Sequence, residues 1–235
     1  MFVTVDDREQ LGKVIRYLNL TGWSHFLLGN GSNLLVGDKG YKGVVIRLGR
    51  EFENVKMEGS RLTCGAAVSL AKAARTAMEN GFSGLEFASG IPGSVGGGVR
   101  MNAGAYGGEL GNLVESVLVM AKDGSLMELD NETMEFGYRK SVLKDRPYAV
   151  LEVTMKLQEG NREEILARMN DFAARRRQKQ PLEYASAGST FKRPEGYYAG
   201  KLIMDAGLRG MREYRINTAA LLSTTERLLR RISRS

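Results

Sequence analysis

Only one cysteine, Cys64, and one histidine, His25, occur in the 235 residues. A lone thiol excludes an intrachain disulfide framework and favours a reducing compartment. One thiol and one imidazole leave no credible zinc site or Cys–His dyad, so no metal is expected. His25 precedes a short apolar run and reads as a turn or surface residue. No apolar run approaches the ~20 residues of a membrane span, and no signal peptide opens the chain. A cytoplasmic protein with no membrane partner is therefore expected. Internal repeats and low-complexity segments are absent as well. Nor is the basic excess spread evenly. The net charge is +7, but Gly207–Ser235 holds seven arginines and two glutamates, which leaves the other 206 residues at +2. A near-balanced body argues against nucleic acid as the partner.

Glycine is what the chain has in plenty: 29 residues, about 12% against a usual ~7%. Ten of them fall in the 28 residues from Gly84 to Gly111, GLEFASGIPGSVGGGVRMNAGAYGGELG. Each glycine loses more backbone freedom on folding than any other residue. A flexible linker would surround them with serine and charge. Here Leu85, Phe87, Ile91, Pro92, Val95, Val99, Met101 and Tyr106 do so instead. The segment reads as buried, with missing Cβ atoms admitting another backbone or a ligand.

Asp6-Asp7 before Leu11, Val14, Ile15 and Leu18 predicts a capped amphipathic helix. Further helices are expected over Ser69–Asn80, closed by Gly81, over Asn161–Lys179, and over Tyr197–Ala206 before Gly207. Strands are expected at His25–Leu28, Val44–Leu48 and Tyr148–Leu157. Hairpins join Phe52–Met57 to Arg61–Gly65, and Val114–Met120 to Leu126–Leu129 across Asp123-Gly124. Short strands mixed with a few helices, without strict βαβ alternation, indicate an α+β fold. The composition break at Gly160-Asn161 divides the chain into 1–160 and 161–235.

Two glycine loops carry candidate chemistry. Leu28-Gly-Asn-Gly-Ser-Asn-Leu-Leu35 leaves a strand, with Gly29 and Gly31 permitting close approach and Ser32 and Asn33 adding short donors. Such a nest suits an anionic diphosphate; the plain alternative is a tight turn between strands. It is no Rossmann fingerprint, for it lacks G-x-G-x-x-G and the later acidic residue. Gly90-Ile-Pro-Gly-Ser-Val-Gly-Gly-Gly98 is expected to offer several more free amides. Asn102-Ala-Gly-Ala-Tyr-Gly107 continues with small residues past which a flat group can slide. Two such loops in one domain favour a large cofactor with a diphosphate in its middle.

LGNGSNLLV, GLEFASGIPGSVGGGVRMNAGAYGGE, FGYRKS, and SAGSTFKRP with AGKLIMDAGLRG follow in that order. Together they resemble the UDP-N-acetylenolpyruvoylglucosamine reductases over roughly Met1–Gly210, in the shorter subtype without an insertion before the serine motif. The resemblance implies an FAD-binding domain of the type found in FAD-linked oxidoreductases, plus an incomplete C-terminal α+β substrate domain. It implies FAD and NADPH as cofactors and a UDP-sugar as substrate, whose enolpyruvyl ether is reduced to UDP-N-acetylmuramate for peptidoglycan. Gly29, Asn30, Gly31, Ser32, Asn33 and Leu34 would then wrap the FAD diphosphate with Gly90, Ile91, Pro92, Gly93, Ser94, Gly96 and Gly97. Asn102, Ala103, Gly104, Ala105 and Tyr106 would lie near the flavin. Arg139, in FGYRKS, matches the family arginine that stabilises charge on the substrate carboxylate. Ser189, in AGSTFKRP, matches the family's proton donor, which Lys179, Lys192 or Arg193 would support. A turn arginine and a serine N-cap are the plain readings of those two residues. Tyr138, Lys179, Lys192 and Lys201 are weaker candidates for the substrate's diphosphate or carboxylate, and Lys179 also reads as a solvated helix end.

Both ends depart from the family pattern. Met1-Phe-Val-Thr-Val5 begins as if inside the first strand. Past Gly210 there is no counterpart of the family's Gly-Ala and Ser-x-x-His block or of its catalytic glutamate, and Glu226, in a basic helical pattern, takes no such role. From about Met211 the tail reads as frameshifted or truncated. Three expectations follow: an active reductase, an impaired fragment of that family, or a basic module for nucleic acid or acidic surfaces.

Overall fold

The computed structural model describes residues 1–180, 191–192 and 194–208. Contacts divide the chain into two units, Met1–Ser32 with Lys42–Ala185, and Asn33–Tyr41 with Ser186–Ser235. The first opens with β1 (Phe2–Val5), α1 (Arg8–Leu20), β2 (His25–Leu28) and β3 (Val44–Leu48). β3 pairs in parallel with both other strands, giving the order β1-β3-β2. Asp7 caps α1 by accepting from Gln10 N at 2.8 Å. Leu11, Ile15 and Leu18, at helical spacing, are buried in one cluster with Val5, Val44, Ile46 and Leu48.

The unit continues with β4 (Val55–Glu58), β5 (Arg61–Gly65), α2 (Leu70–Glu79), β6 (Phe82–Ser83), α3 (Val95–Arg100), β7 (Gly104–Ala105) and β8 (Gly108–Glu109). It closes with β9 (Val114–Met120), β10 (Leu126–Asp130), β11 (Ala149–Lys156), β12 (Gln158–Glu159) and α4 (Arg162–Lys179). An antiparallel sheet runs β10-β9-β11-β5-β4. Alternation along each strand sorts its faces. Leu62, Cys64, Val117, Val119, Val153 and Met155 are buried inward. Thr63 meets Thr154, Arg61 pairs with Glu115, and Ser116 bonds Glu128 on the polar side. Burial pushes the Cys64 thiol up to about 12, which makes it a core residue with no reactive thiolate.

The mixed, largely antiparallel architecture is the α+β class expected. Two local expectations fail. Phe52 and Glu53 lie in a 3₁₀ turn, Arg50–Glu53, and not in the first hairpin strand. The Phe52 carbonyl is instead drawn to Ala67 N at 2.9 Å, which takes residue 52 out of any ladder. The second failure is α3, built from VGGGVR. Glycine is a poor helix former, by roughly 1 kcal/mol per residue. Here it is required by packing: a Cβ on Gly96 would stand 2.8 Å from Ala66 Cβ, and one on Gly98 2.9 Å from Leu110 Cδ1.

α4, which the break at Gly160-Asn161 assigns to the second part of the chain, is grouped by contacts with the first unit. Asn161 caps it, accepting from Glu163 N at 2.8 Å. The second unit contains α5 (Ala199–Asp205). Among the described residues no helix is long and apolar enough to cross a membrane.

Candidate active site

β2 ends at Leu28, and the chain leaves it through Gly29-Asn-Gly-Ser32. Gly31 sits at φ +69°, the left-handed region that glycine enters freely. Among the described residues, the amides of Asn30, Gly31 and Ser32 meet no acceptor. A Cβ on Gly29 would stand 2.6 Å from Ser94 Oγ, so the first glycine loop lies directly against the second.

The second loop differs from its expectation of free amides. Ile91 N donates to Ala88 O at 3.0 Å, and Gly93 N to Ile91 O at 2.8 Å. Val95 N donates to Val68 O at 2.7 Å, Gly96 N to Ala66 O at 3.0 Å, and Gly98 N to Ser94 O at 2.8 Å. Gly97 N is capped by Ser94 Oγ at 3.3 Å. These donors are spent because residues 95–100 are helical and strapped to the β5–α2 connection. Among the described residues only the amides of Gly90 and Ser94 in the second loop meet no acceptor, so most open donors come from the first loop, and the second forms its wall.

Beyond α3, Asn102 is fully buried at φ +41°. Its Oδ1 accepts from Gly111 N at 2.8 Å and its Nδ2 donates to Gly137 O at 3.0 Å. Gly137 and Lys140 exchange backbone bonds of 3.1 and 3.0 Å, so Tyr138 and Arg139 form the tip of a tight turn. Arg139 sits there at φ +55°, a conformation that costs a bulky residue roughly 1–3 kcal/mol and persists only when its surroundings over-determine it. The surroundings do so. Ser141 Oγ donates to Arg100 O at 2.8 Å, and the Arg100 guanidinium donates to Leu143 O. The Arg139 guanidinium reaches back, Nη1 to Asn102 O at 3.4 Å and Nη2 to Gly104 O at 3.2 Å. Its Cζ lies 5.5 Å from the Tyr138 ring centroid. A guanidinium carries five N–H groups, so these contacts leave donors for an anion. Arg139 and the Asn102–Gly104 segment, singled out separately in sequence, are thus in contact.

α4 supplies neighbours that sequence reasoning missed. Tyr106, at φ +51°, stacks on Phe172 with centroids 4.5 Å apart and planes 5° from parallel. Arg176 Cζ lies 5.5 Å from the Tyr106 ring, and its guanidinium fills the space a Gly90 side chain would need. Further up the helix, Arg168 pairs with the buried Glu86 at 3.1 Å, and Glu86 also accepts from Gly84 N at 2.7 Å. The signal was available: Arg168, Phe172 and Arg176 recur at i, i+4, i+8, on one face. Arg175 instead pairs with Asp171 at 2.8 Å, as a solvated helix end would.

The remaining candidates are scattered. Tyr138 is 56% exposed. Lys179 is the last residue of α4. Asn33, Leu34, Lys192 and Lys201 belong to the second unit, where Lys192 is exposed and Lys201 Nζ pairs with Asp205 Oδ1 at 2.9 Å. Ser189 and Arg193 lie outside the described residues. His25 is the first residue of β2, opposite Val44, and not a turn residue; its Nδ1 lies 3.1 Å from Trp23 O.

Residues 1–130 match the FAD binding domain family, and residues 180–223 match the UDP-N-acetylenolpyruvoylglucosamine reductase, C-terminal domain. The second match runs past Gly210, where the resemblance was expected to end. The UDP-N-acetylenolpyruvoylglucosamine reductase of Clostridioides difficile (strain 630) is 48% identical over 203 residues, 86% of this chain and 67% of that protein. That of Clostridium novyi (strain NT) is 46% identical over 210 residues, 89% and 68% of the two chains. The chain thus spans about two thirds of the length of these curated relatives. The solved UDP-N-acetylenolpyruvylglucosamine reductase (MurB) of Thermus caldophilus aligns with a TM-score of 0.84 at 36% identity, covering 100% of this chain and 88% of that one. The 6-hydroxy-D-nicotine oxidase of Arthrobacter nicotinovorans, at TM-score 0.52 and 16% identity, shares only the fold, over 67% of this chain and 36% of its own.

Proposed function

The chain belongs to the UDP-N-acetylenolpyruvoylglucosamine reductase family, and from that premise we propose that it holds FAD at its first glycine loop and reduces the enolpyruvyl ether of a UDP-sugar with NADPH. The reaction is a cytoplasmic step of peptidoglycan precursor synthesis. The residues present fit the cofactor. Three amides that meet no acceptor among the described residues, at Asn30–Ser32, are a nest for a diphosphate, and the missing Cβ of Gly29 lets the Ser94 hydroxyl close against that loop. Bound FAD supplies a two-electron carrier between NADPH and the vinyl group.

The chain's own residues handle charge and protons. Reducing the terminal vinyl carbon builds negative charge on its neighbour, which spreads into the carboxylate. Arg139 remains ionised at any working pH, and its unspent N–H groups bind that carboxylate as the charge grows. The Ser189 hydroxyl gives the proton that completes the saturated ether. Tyr138, Lys179, Lys192 and Lys201 are the weaker candidates for the substrate's own diphosphate or carboxylate. The observation that carries this reading is the Arg139 guanidinium resting on the carbonyls of Asn102 and Gly104.

The purified chain is expected to retain flavin and to oxidise NADPH faster when the enolpyruvyl UDP-sugar is added. A chain that stays colourless after reconstitution with FAD refutes the cofactor reading. A yellow chain whose NADPH oxidation ignores the sugar refutes the catalytic one. Gly29→Ala tests the fit at one atom. The new methyl displaces the Ser94 side chain, costing about 1 kcal/mol at the α3 cap. A lower melting temperature and a lower flavin-to-protein absorbance ratio are expected together; loss of neither would mean that the loops are not pressed together.

A further inference from the structure

We propose that Asn102 is the residue that aims Arg139, a positioning residue and not a ligand of the cofactor; this rests on the reading of Arg139 given above. Asn102 is fully buried, and both ends of its amide are taken, the oxygen by Gly111 N and the nitrogen by Gly137 O. Neither end is left to turn toward a ligand. Gly137 is the first residue of the turn that Arg139 tips, and the main-chain oxygen of Asn102 accepts from Arg139 Nη1. One residue therefore grips the turn at its base and the guanidinium at its end.

The backbone explains why asparagine stands here. At φ +41° few side chains other than asparagine are at ease. Its short amide then bonds two segments at once. Arg139 is itself held at φ +55°, and such a turn relaxes when its anchor goes. Asn102→Ala leaves the Gly111 N–H without a partner among the described residues and the Gly137 carbonyl with its Lys140 N bond alone, so the Gly111 amide must be rehydrated and the turn loses its tie to residue 102. Asn102→Asp keeps the acceptor for Gly111 but turns a carboxylate oxygen toward the Gly137 carbonyl. Protonating that carboxyl restores the lost donor.

The test uses the FAD-loaded full chain. Sugar-dependent NADPH oxidation is measured for wild type, N102A, N102D, R139M and N102A/R139M, and hydrogen exchange of residues 137–140 is followed without substrate. Asn102→Ala is expected to lower kcat/KM about 10²-fold, as misaiming a positioned group by an ångström does, and to speed exchange in the turn. The double variant is expected to be no slower than R139M, since aim no longer matters once the guanidinium is gone. Asn102→Asp, which keeps the Gly111 bond and with it the fold, is expected to approach wild type as pH falls. Multiplying penalties in the double variant, or wild-type kcat/KM in N102A beside a crippled R139M, overturns the proposal alone. A wild-type rate in R139M would sink the Arg139 reading and this proposal with it.

Discussion

Ser189→Ala is expected to lower sugar-dependent NADPH oxidation by about 10²–10⁴-fold, the range a positioned general acid supplies. Flavin reduction by NADPH should survive, because the hydroxyl takes no part in that half of the reaction. A serine hydroxyl is a weak acid at neutral pH. It donates only to a strong base held against it, and the carbon beside the carboxylate is such a base once hydride has added to its neighbour. Lys192 adds positive charge three residues along the chain. The two half-reactions separate under stopped flow: flavin bleaching on adding NADPH, then recovery on adding the sugar. Recovery at the wild-type rate would show that the proton comes from elsewhere. Equal loss in both phases would mean that Ser189 shapes the site without donating.

Local chemistry is where the sequence is most legible. Asp7, Ser69 and Asn161 each accept amides at the start of the helix expected after them. The hairpin across Asp123-Gly124 forms as read, with Leu126 opposite Met120. What escapes is whatever depends on a distant partner. The helix at 95–100 is hidden because glycine argues against it, and the compensation comes from Ala66 and Leu110. The spent amides of Val95 and Gly96 are hidden for the same reason, since their acceptors, Val68 and Ala66, arrive from the β5–α2 connection. The first loop, which has no such partner, is read correctly as open. Arg139 stands out only through the family resemblance. Its turn is built by Arg100, Asn102 and Ser141, and nothing in FGYRKS alone says that those residues will be there. The inner face of α4 is missed because the run Arg175-Arg-Arg-Gln-Lys179 reads as a solvated end and masks the stripe Ile165, Arg168, Met169, Phe172 and Arg176 that packs.

Arg139→Met is expected to cost about 10²–10³-fold in sugar-dependent kcat/KM, the usual loss when a preorganised charge-stabilising donor is removed. Arg139→Lys should not rescue it. An ammonium is a single point charge and cannot span the Asn102 and Gly104 carbonyls while presenting paired donors to a carboxylate. Stability should move the other way at this position. The φ of +55° is strained for arginine and free for glycine, which relieves roughly 1 kcal/mol or more against an unfolded-chain entropy cost of about 0.5–1 kcal/mol. Arg139→Gly is therefore expected to melt at or above the wild-type temperature while its turnover collapses with that of R139M. A thermal melt beside the stimulated assay reads both. If Arg139→Gly unfolds early, the guanidinium contacts were holding the turn. If Arg139→Lys keeps the wild-type rate, a single charge suffices and paired recognition of the carboxylate is wrong. Opposite signs in the two measurements would mark the turn as strained for the sake of the reaction and not for the fold.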